Sequence, residues 1–282
     1  MTILVTGATG NLGRLIIASL LERGAAPQSI VAGARDTAKA ADLGVRVVPL
    51  DYTDPASVAA AVEGVDTVVL VSGSEVGQRV AQHQAVIEAA KAAGVSKFVY
   101  TSAPKATTSD LILAPEHKAT EELIAAAGLP AVILRNNWYT ENYAADLARA
   151  AETGVLAAGA GDGRVASASR KDFAEAAAAV ALEDGHIGEV YELGGDVAWN
   201  YSDLAAAFAE VTGREVSYVP LGFDDQIAAL RGAGLDEGTA GFVAALDAGI
   251  KNGALGDTDG TLARLIGRPT TPLAEGLRAA SA

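Results

Sequence analysis

Thr6-Gly7-Ala8-Thr9-Gly10-Asn11-Leu12-Gly13 links a short apolar run to an amphipathic helix, and the spacing of its three glycines suits a loop that holds a dinucleotide pyrophosphate. Gly7 allows a tight turn, Gly10 lets backbone approach phosphate, and Gly13 lets the first helical turn lie on the sheet. Leu12, Leu15, Ile16 and Leu20 recur at helical spacing behind it. The helix would turn its unpaired N–H groups and positive dipole end toward the anion, with Ala8, Thr9, Asn11 and Leu12 completing the contact. Arg35 follows roughly 20 residues later, where an arginine meets a ribose 2′-phosphate and an acid would hold the free hydroxyl. It points to NADP; Asp36 beside it would select NAD if it faced the ribose instead.

Further chemistry-bearing residues fall at the ends of apolar runs. Ser72-Gly73-Ser74 and Tyr100-Thr101-Ser102 would let a cofactor and substrate approach closely, or serve as plain turns. Arg135-Asn136-Asn137-Trp138-Tyr139-Thr140-Glu141-Asn142-Tyr143 is the densest aromatic and amide cluster in a chain only 5% aromatic. Trp138, Tyr139 and Tyr143 can stack on a planar substrate while Asn142 or Asn137 orients it, and a packed hinge is the competing reading. His83 shares the apolar side of a helix with Val76, Val80 and Ile87 and reads as core. His117 follows Pro115 and Glu116 at a helix start, where partial exposure would let it touch substrate. His186 has no chemical company, and no histidine–carboxylate spacing predicts a metal. Asp51 can reach an adenine or cap a helix before Pro55, and Asp257-Thr258-Asp259-Gly260 reads as a helix cap, since a calcium loop needs a later glutamate.

The elements that must position these residues alternate. Ile3–Thr6, Ile30–Ala32, Val45–Leu50, Thr67–Val71, Lys97–Thr101 and Ala131–Leu134 read as strands between Ala-rich helices, which predicts an α/β fold with a doubly wound parallel sheet. The strands are apolar throughout, as expected with helices on both faces, so ligands belong at their C-terminal ends. Residues 1–135 form the expected nucleotide-binding domain and 136–282 a smaller mixed α/β lobe covering substrate, with a strand near 189–193 able to return to the sheet. Gly159-Ala160-Gly161-Asp162-Gly163 is followed by Val165-Ala166-Ser167 and not by a helix, so it reads as a hairpin turn. Asn200-Tyr201-Ser202 reads as the cap of the helix carrying Leu204 and Phe208.

Composition removes whole classes of function. A net charge of −14 repels nucleic acid and anionic membrane surfaces. The absence of cysteine removes disulfides, thiolate nucleophiles and cysteine-ligated metals. No apolar stretch approaches the roughly 20 residues of a membrane span and no signal segment is evident, so a cytoplasmic location is expected. No Gly-x-Ser-x-Gly elbow marks an esterase.

Together these residues resemble the atypical short-chain dehydrogenase/reductases, specifically the NmrA-like group and within it the type 2 NAD(P)H:quinone oxidoreductases. The resemblance rests on Thr6 to Gly13, Ser72-Gly-Ser-Glu-Val-Gly-Gln-Arg79, Tyr100 to Ser102, Arg135 to Asn142, Ser169-Arg170-Lys-Asp-Phe173 and the closing Leu265 to Leu273. It implies a Rossmann-type sheet and NADPH, with NADH an alternative, held by Gly7 to Gly13 and Arg35. It also implies that Ser72 to Ser74 and the Asn136 to Glu141 stretch, including Asn137 and Tyr139, lie near the nicotinamide, with Arg170 approaching from the second lobe. A small quinone is the implied partner, a homodimer is left open, and a dye-type reductase or a nucleotide-sensing regulator is the alternative. Superfamily members that reduce ketones use Tyr-x-x-x-Lys, and none of the seven tyrosines here has a lysine four residues on. A quinone relaxes that need: hydride reduction of a ketone leaves an alkoxide, roughly as basic as hydroxide, whereas a reduced quinone leaves a phenolate whose conjugate acid has a pKa near 10. Positioning then dominates, with protons from water or His117.

Overall fold

The first strand sends Ile3 and Val5 into one apolar core and Leu4 into another, because successive strand side chains face opposite sides of a sheet. The computed structural model describes residues 1–281. In chain order its first half comprises β1 (Ile3–Val5), α1 (Asn11–Glu22), β2 (Ile30–Ala34), β3 (Arg46–Pro49), α2 (Pro55–Val62), β4 (Thr67–Leu70), α3 (Arg79–Ala93), β5 (Lys97–Ser102), α4 (Ala114–Ala127) and β6 (Ala131–Asn136). The second half adds α5 (Ala144–Thr153), β7 (Val155–Ala158), β8 (Arg164–Val165), α6 (Arg170–Leu182), β9 (Val190–Leu193), β10 (Trp199–Asn200), α7 (Tyr201–Thr212), β11 (Ser217–Pro220), α8 (Phe223–Gly232), α9 (Glu237–Lys251), α10 (Thr261–Ile266) and α11 (Leu273–Ala280).

Seven strands form one parallel sheet in the order β3-β2-β1-β4-β5-β6-β9. The strands expected from sequence are present, with small shifts at their ends. β9 returns from the second half of the chain to pair with β6, Ile133 opposite Val190. α1 and α6 pack on one face, where Ile16, Ile17 and Leu20 meet the alanines of α6; small side chains there let the two helices lie close. α2, α3 and α4 cover the other face. Lys97 ties β5 to the end of α6, its ammonium donating to the carbonyls of Val180, Ala181 and Glu183 at 3.0, 3.3 and 2.6 Å.

β1 has β2 on one side and β4 on the other, so successive connections leave in opposite directions at this point of the sheet. A crevice opens there at the C-terminal strand ends, where open α/β sheets bind ligands. A second core, formed by Leu147, Leu156, Trp199, Leu204, Phe208 and their neighbours, stands beyond those ends.

One local expectation fails. β7 and β8 flank the Gly159–Gly163 stretch but do not pair with each other: β7 joins β11 and β8 joins β10. The turn itself exists, with Gly163 N–H bonded to Ala160 O at 2.9 Å, yet its flanking strands find other partners in the second core. Asn200 caps α7 as expected, accepting from Asp203 N–H in a reciprocal capping box.

Candidate active site

A cleft of about 590 Å³ runs along the C-terminal edge of the sheet, from Arg35 past the glycine loop to Trp138 and Arg170. Its floor is the β1–α1 turn. Gly7 has φ +57°, a left-handed value that favours glycine. A Cβ on Gly13 would overlap the Gly7 carbonyl, whose carbon would lie at 2.9 Å, so the helix sits directly on the loop. α1 starts at Gly10 with no side-chain cap and no acid in its first turn. Its leading N–H groups therefore face the cleft unsatisfied, the chemistry an anion needs. Across the cleft, the buried Asn136 Oδ1 has no hydrogen-bond partner among the described residues. These open donors and this acceptor fit a dinucleotide. Ala8 is a correction: fully buried, it spends its N–H on Gly33 O at 3.1 Å and does not line the cleft.

Arg35 lines the cleft, and its guanidinium reaches Glu75 Oε1 at 3.2 Å. Asp36 does not line it; its carboxylate accepts from Ala38 N–H and starts a short turn of helix. Asp51 is held by Thr53, which keeps its carboxyl below the usual range, and Asp54 caps α2 in its place. Tyr52, which no sequence pattern singles out, braces β1 against β4: its hydroxyl donates to Val71 O at 2.9 Å and lies 2.6 Å from Thr6 Oγ1.

Ser72, Gly73 and Ser74 line the cleft in a loop fixed from beneath. Gly73 N–H donates to His83 Nε2 at 3.0 Å, and Arg79 Nε donates to Gly73 O at 2.9 Å. Arg79 is buried against Glu116, which also accepts from Gly77 N–H. His83 is thus a core histidine, as expected, and it also holds the loop. Burial, helped by the Arg79 charge, depresses it to about 3.

His117 lines the same end of the cleft but is buried, not partly exposed, because α4 lays its first turn against Tyr100 of β5. Burial, then the Arg79 and His83 charges, depress it to about 3, so it is neutral at neutral pH. Asn136, Asn137, Trp138, Tyr139, Asn142 and Arg170 form the facing wall. Arg170 stacks 5.1 Å from the centre of the Tyr139 ring and donates to Asn142 Oδ1 at 2.8 Å. Asn137 is tied to Leu255 O, and its own oxygen takes Trp138 N–H, which fixes the aromatic wall.

Two further expectations are corrected. Glu141 does not line the cleft; its carboxylate accepts Arg170 N–H at 2.9 and 3.0 Å, neutralising the start of α6. Tyr143 is buried in the second core, edge-on to Trp199 and Tyr201 at 5.2 and 6.2 Å, because the short turn Thr140–Tyr143 rotates it away from the cleft. Gln82 and Tyr52 line the cleft without having been singled out, as does Arg79, which was read only as part of the Ser72–Arg79 motif; Gln82 and Arg79 come from α3 and Tyr52 from the loop after β3.

Residues 7–184 match the model of a family described as NAD(P)H-binding. The chain belongs to this NAD(P)H-binding family. The chain is similar to quinone oxidoreductase 2 of Escherichia coli (strain K12), 49% identical over 97% of this chain and 96% of that one. The crystal structure of the NADPH-dependent quinone oxidoreductase from Escherichia coli, complexed with NADPH, superposes with a TM-score of 0.94 at 48% identity, covering 99% of both chains. The Citrobacter sp. triphenylmethane reductase complexed with NADP(H) superposes at 0.93 with 37% identity, over 99% of this chain and 100% of that one.

Proposed function

We propose that this protein is an NADPH-dependent quinone reductase. The observation that carries the reading is an uncapped glycine loop at the switch point of the sheet, with Arg35 at one end of the cleft and an aromatic wall at the other. The 49% identity to quinone oxidoreductase 2 supports the same substrate class. Gly7, Thr9, Gly10, Asn11, Leu12 and Gly13 would hold the pyrophosphate, and Arg35 the 2′-phosphate. Ser72 to Ser74, with Asn136 and Asn137, would border the nicotinamide, which when bound supplies a hydride.

Trp138 and Tyr139 hold a flat substrate, Asn142 and Arg170 orient it, and Leu111, Leu113 and Pro104 keep its surroundings apolar. Because phenolate is a modest base, orientation and one well-placed hydrogen-bond donor suffice in place of a tyrosine–lysine pair. His117, whose ring lines the cleft, is the candidate donor to the acceptor oxygen. Residues 1–135, joined by α6 and β9, serve as the cofactor-binding part, and the remaining second half covers substrate. A homodimer and a cytoplasmic location complete the reading; no described helix is long and apolar enough to cross a membrane. Gel filtration and cell fractionation check them.

The direct test follows nicotinamide absorbance with NADPH or NADH and small benzo- and naphthoquinones, against a blank without protein. Protein-dependent oxidation favouring NADPH is expected. Tight NADPH binding with no acceleration by any quinone or dye would replace the reductase with a nucleotide sensor; preference for triphenylmethane dyes would change the substrate class alone.

A further inference from the structure

Tyr100 is wholly buried, and its hydroxyl lies 2.8 Å from His117 Nδ1. Around this pair the backbone dictates where the protons sit. Gly73 N–H points at His83 Nε2, so the one proton of neutral His83 is on Nδ1, 3.1 Å from Thr120 Oγ1. Thr120 in turn gives its own proton to Glu116 O at 2.9 Å. Of the pair, the phenolic O–H is the stronger donor and the imidazole nitrogen the stronger acceptor, so Tyr100 donates to a bare His117 Nδ1 and the ring proton of His117 sits on Nε2. That nitrogen has no hydrogen-bond partner among the described residues, and the ring lines the cleft.

We propose that Tyr100 is a positioning residue that locks neutral His117 in the Nε2–H tautomer, so that Nε2–H stands ready to donate to the oxygen of a bound quinone. The oxygen partner rests on the quinone-reductase reading; the tautomer rests on the geometry alone. In the balanced reaction a quinone takes up one hydride, which carries two electrons, and one proton, giving a hydroquinone. The hydride leaves negative charge on a quinone oxygen, and His117 stabilises it by hydrogen bonding. Full proton transfer from His117 would draw the phenolic proton after it and leave a phenolate in the core, where burial pushes the Tyr100 hydroxyl far above its ordinary value. The proton therefore comes from water in the open cleft, and His117 keeps its own.

Two measurements test this. Nitrogen-15 NMR of histidine-labelled protein without cofactor should show His117 protonated at Nε2 and bare at Nδ1, the opposite of His83; a His117 protonated at Nδ1 overturns the proposal. Tyr100→Phe should scramble the His117 tautomer and lower kcat with a quinone about tenfold, the worth of one hydrogen bond, leaving the NADPH Kd unchanged. His117→Ala should lower kcat by a similar factor, and the double variant no further, since Tyr100 acts only through His117. Multiplying losses, or an unaltered tautomer in Tyr100→Phe, would overturn it. If the intact protein turned over no quinone, the reductase reading would fall on kinetics while the tautomer assignment was decided separately by NMR.

Discussion

At one end of the cleft Arg35 meets Glu75 with 71% and 46% of the two side chains in water; at the other, Tyr100 and His117 meet with 0% and 6% of the residues exposed. The first pair is charged, solvent-screened and held by flexible stems, so it contributes at most about 1 kcal/mol and can exchange partners. The second is neutral and enclosed, so its proton positions are set by the packing around it and no salt concentration will move them. Selection between cofactors belongs at the wet end, where a charge can be given to whichever anion arrives. Orientation of the reacting groups belongs at the dry end, where a misplaced proton has nowhere to go.

The two ends share one support, and breaking it gives the largest effect. Gly13→Ala places a methyl group against the Gly7 carbonyl, backbone against backbone, so neither side can yield cheaply. A loss of about 1–3 kcal/mol of stability is expected from the overpacking, with NADPH binding abolished in calorimetry; an unchanged affinity would mean the loop does not hold the pyrophosphate.

Arg35→Ala acts on the wet end alone. NADPH affinity should fall about ten- to a hundredfold, the worth of a charge-assisted bond, while NADH affinity stays put. The difference should shrink as salt is raised, because the site is exposed. An equal loss for both cofactors would mean that Arg35 does not meet the 2′-phosphate.

Acid titration interrogates the dry end. His83 and His117 both have folded values near 3, below the unfolded 6.5. Below pH 6.5 the unfolded chain binds protons that the folded one refuses, so stability is full above pH 6.5 and is lost as pH falls toward 3, by up to about 1.4 kcal/mol per pH unit per histidine. Denaturant melts between pH 6.5 and 5 should show this slope, and His83→Gln should roughly halve it. A flat profile would mean that water reaches both rings.

The smallest effect sharpens the wet end. Glu75 is held near Arg35 by Gln82, at 2.9 Å, where it would compete with a 2′-phosphate for the guanidinium. Glu75→Gln keeps the hydrogen bond and removes the charge, so NADPH should bind up to about fivefold tighter with NADH unchanged. Equal tightening of both would assign Glu75 to loop position and not to charge.

Legibility followed the same division. The glycine loop and the alternation of apolar runs with helices could be read directly, because a left-handed turn, an uncapped helix start and a continuously apolar strand are properties of neighbouring residues. Arg35 could be read because β2 ends at a fixed distance from the loop. Tyr143 could not: its aromatic cluster leaves β6 toward the cleft, but a single turn at Thr140–Tyr143 decides which rings face inward. Glu141 was misread for the same reason, being taken up by the start of α6 nearly thirty positions away in sequence.

By itself, then, the chain determined a doubly wound sheet, a glycine loop behind its first strand and an arginine just past the second, since each is written in local runs of residues by backbone geometry that only certain side chains allow. Tertiary structure alone decided the rest. Burying Tyr100, His83, Thr120 and His117 together turns ordinary polar side chains into a set with fixed proton positions. Removal from water made every donor in that set depend on its acceptor, and no local pattern in the sequence records such a dependence.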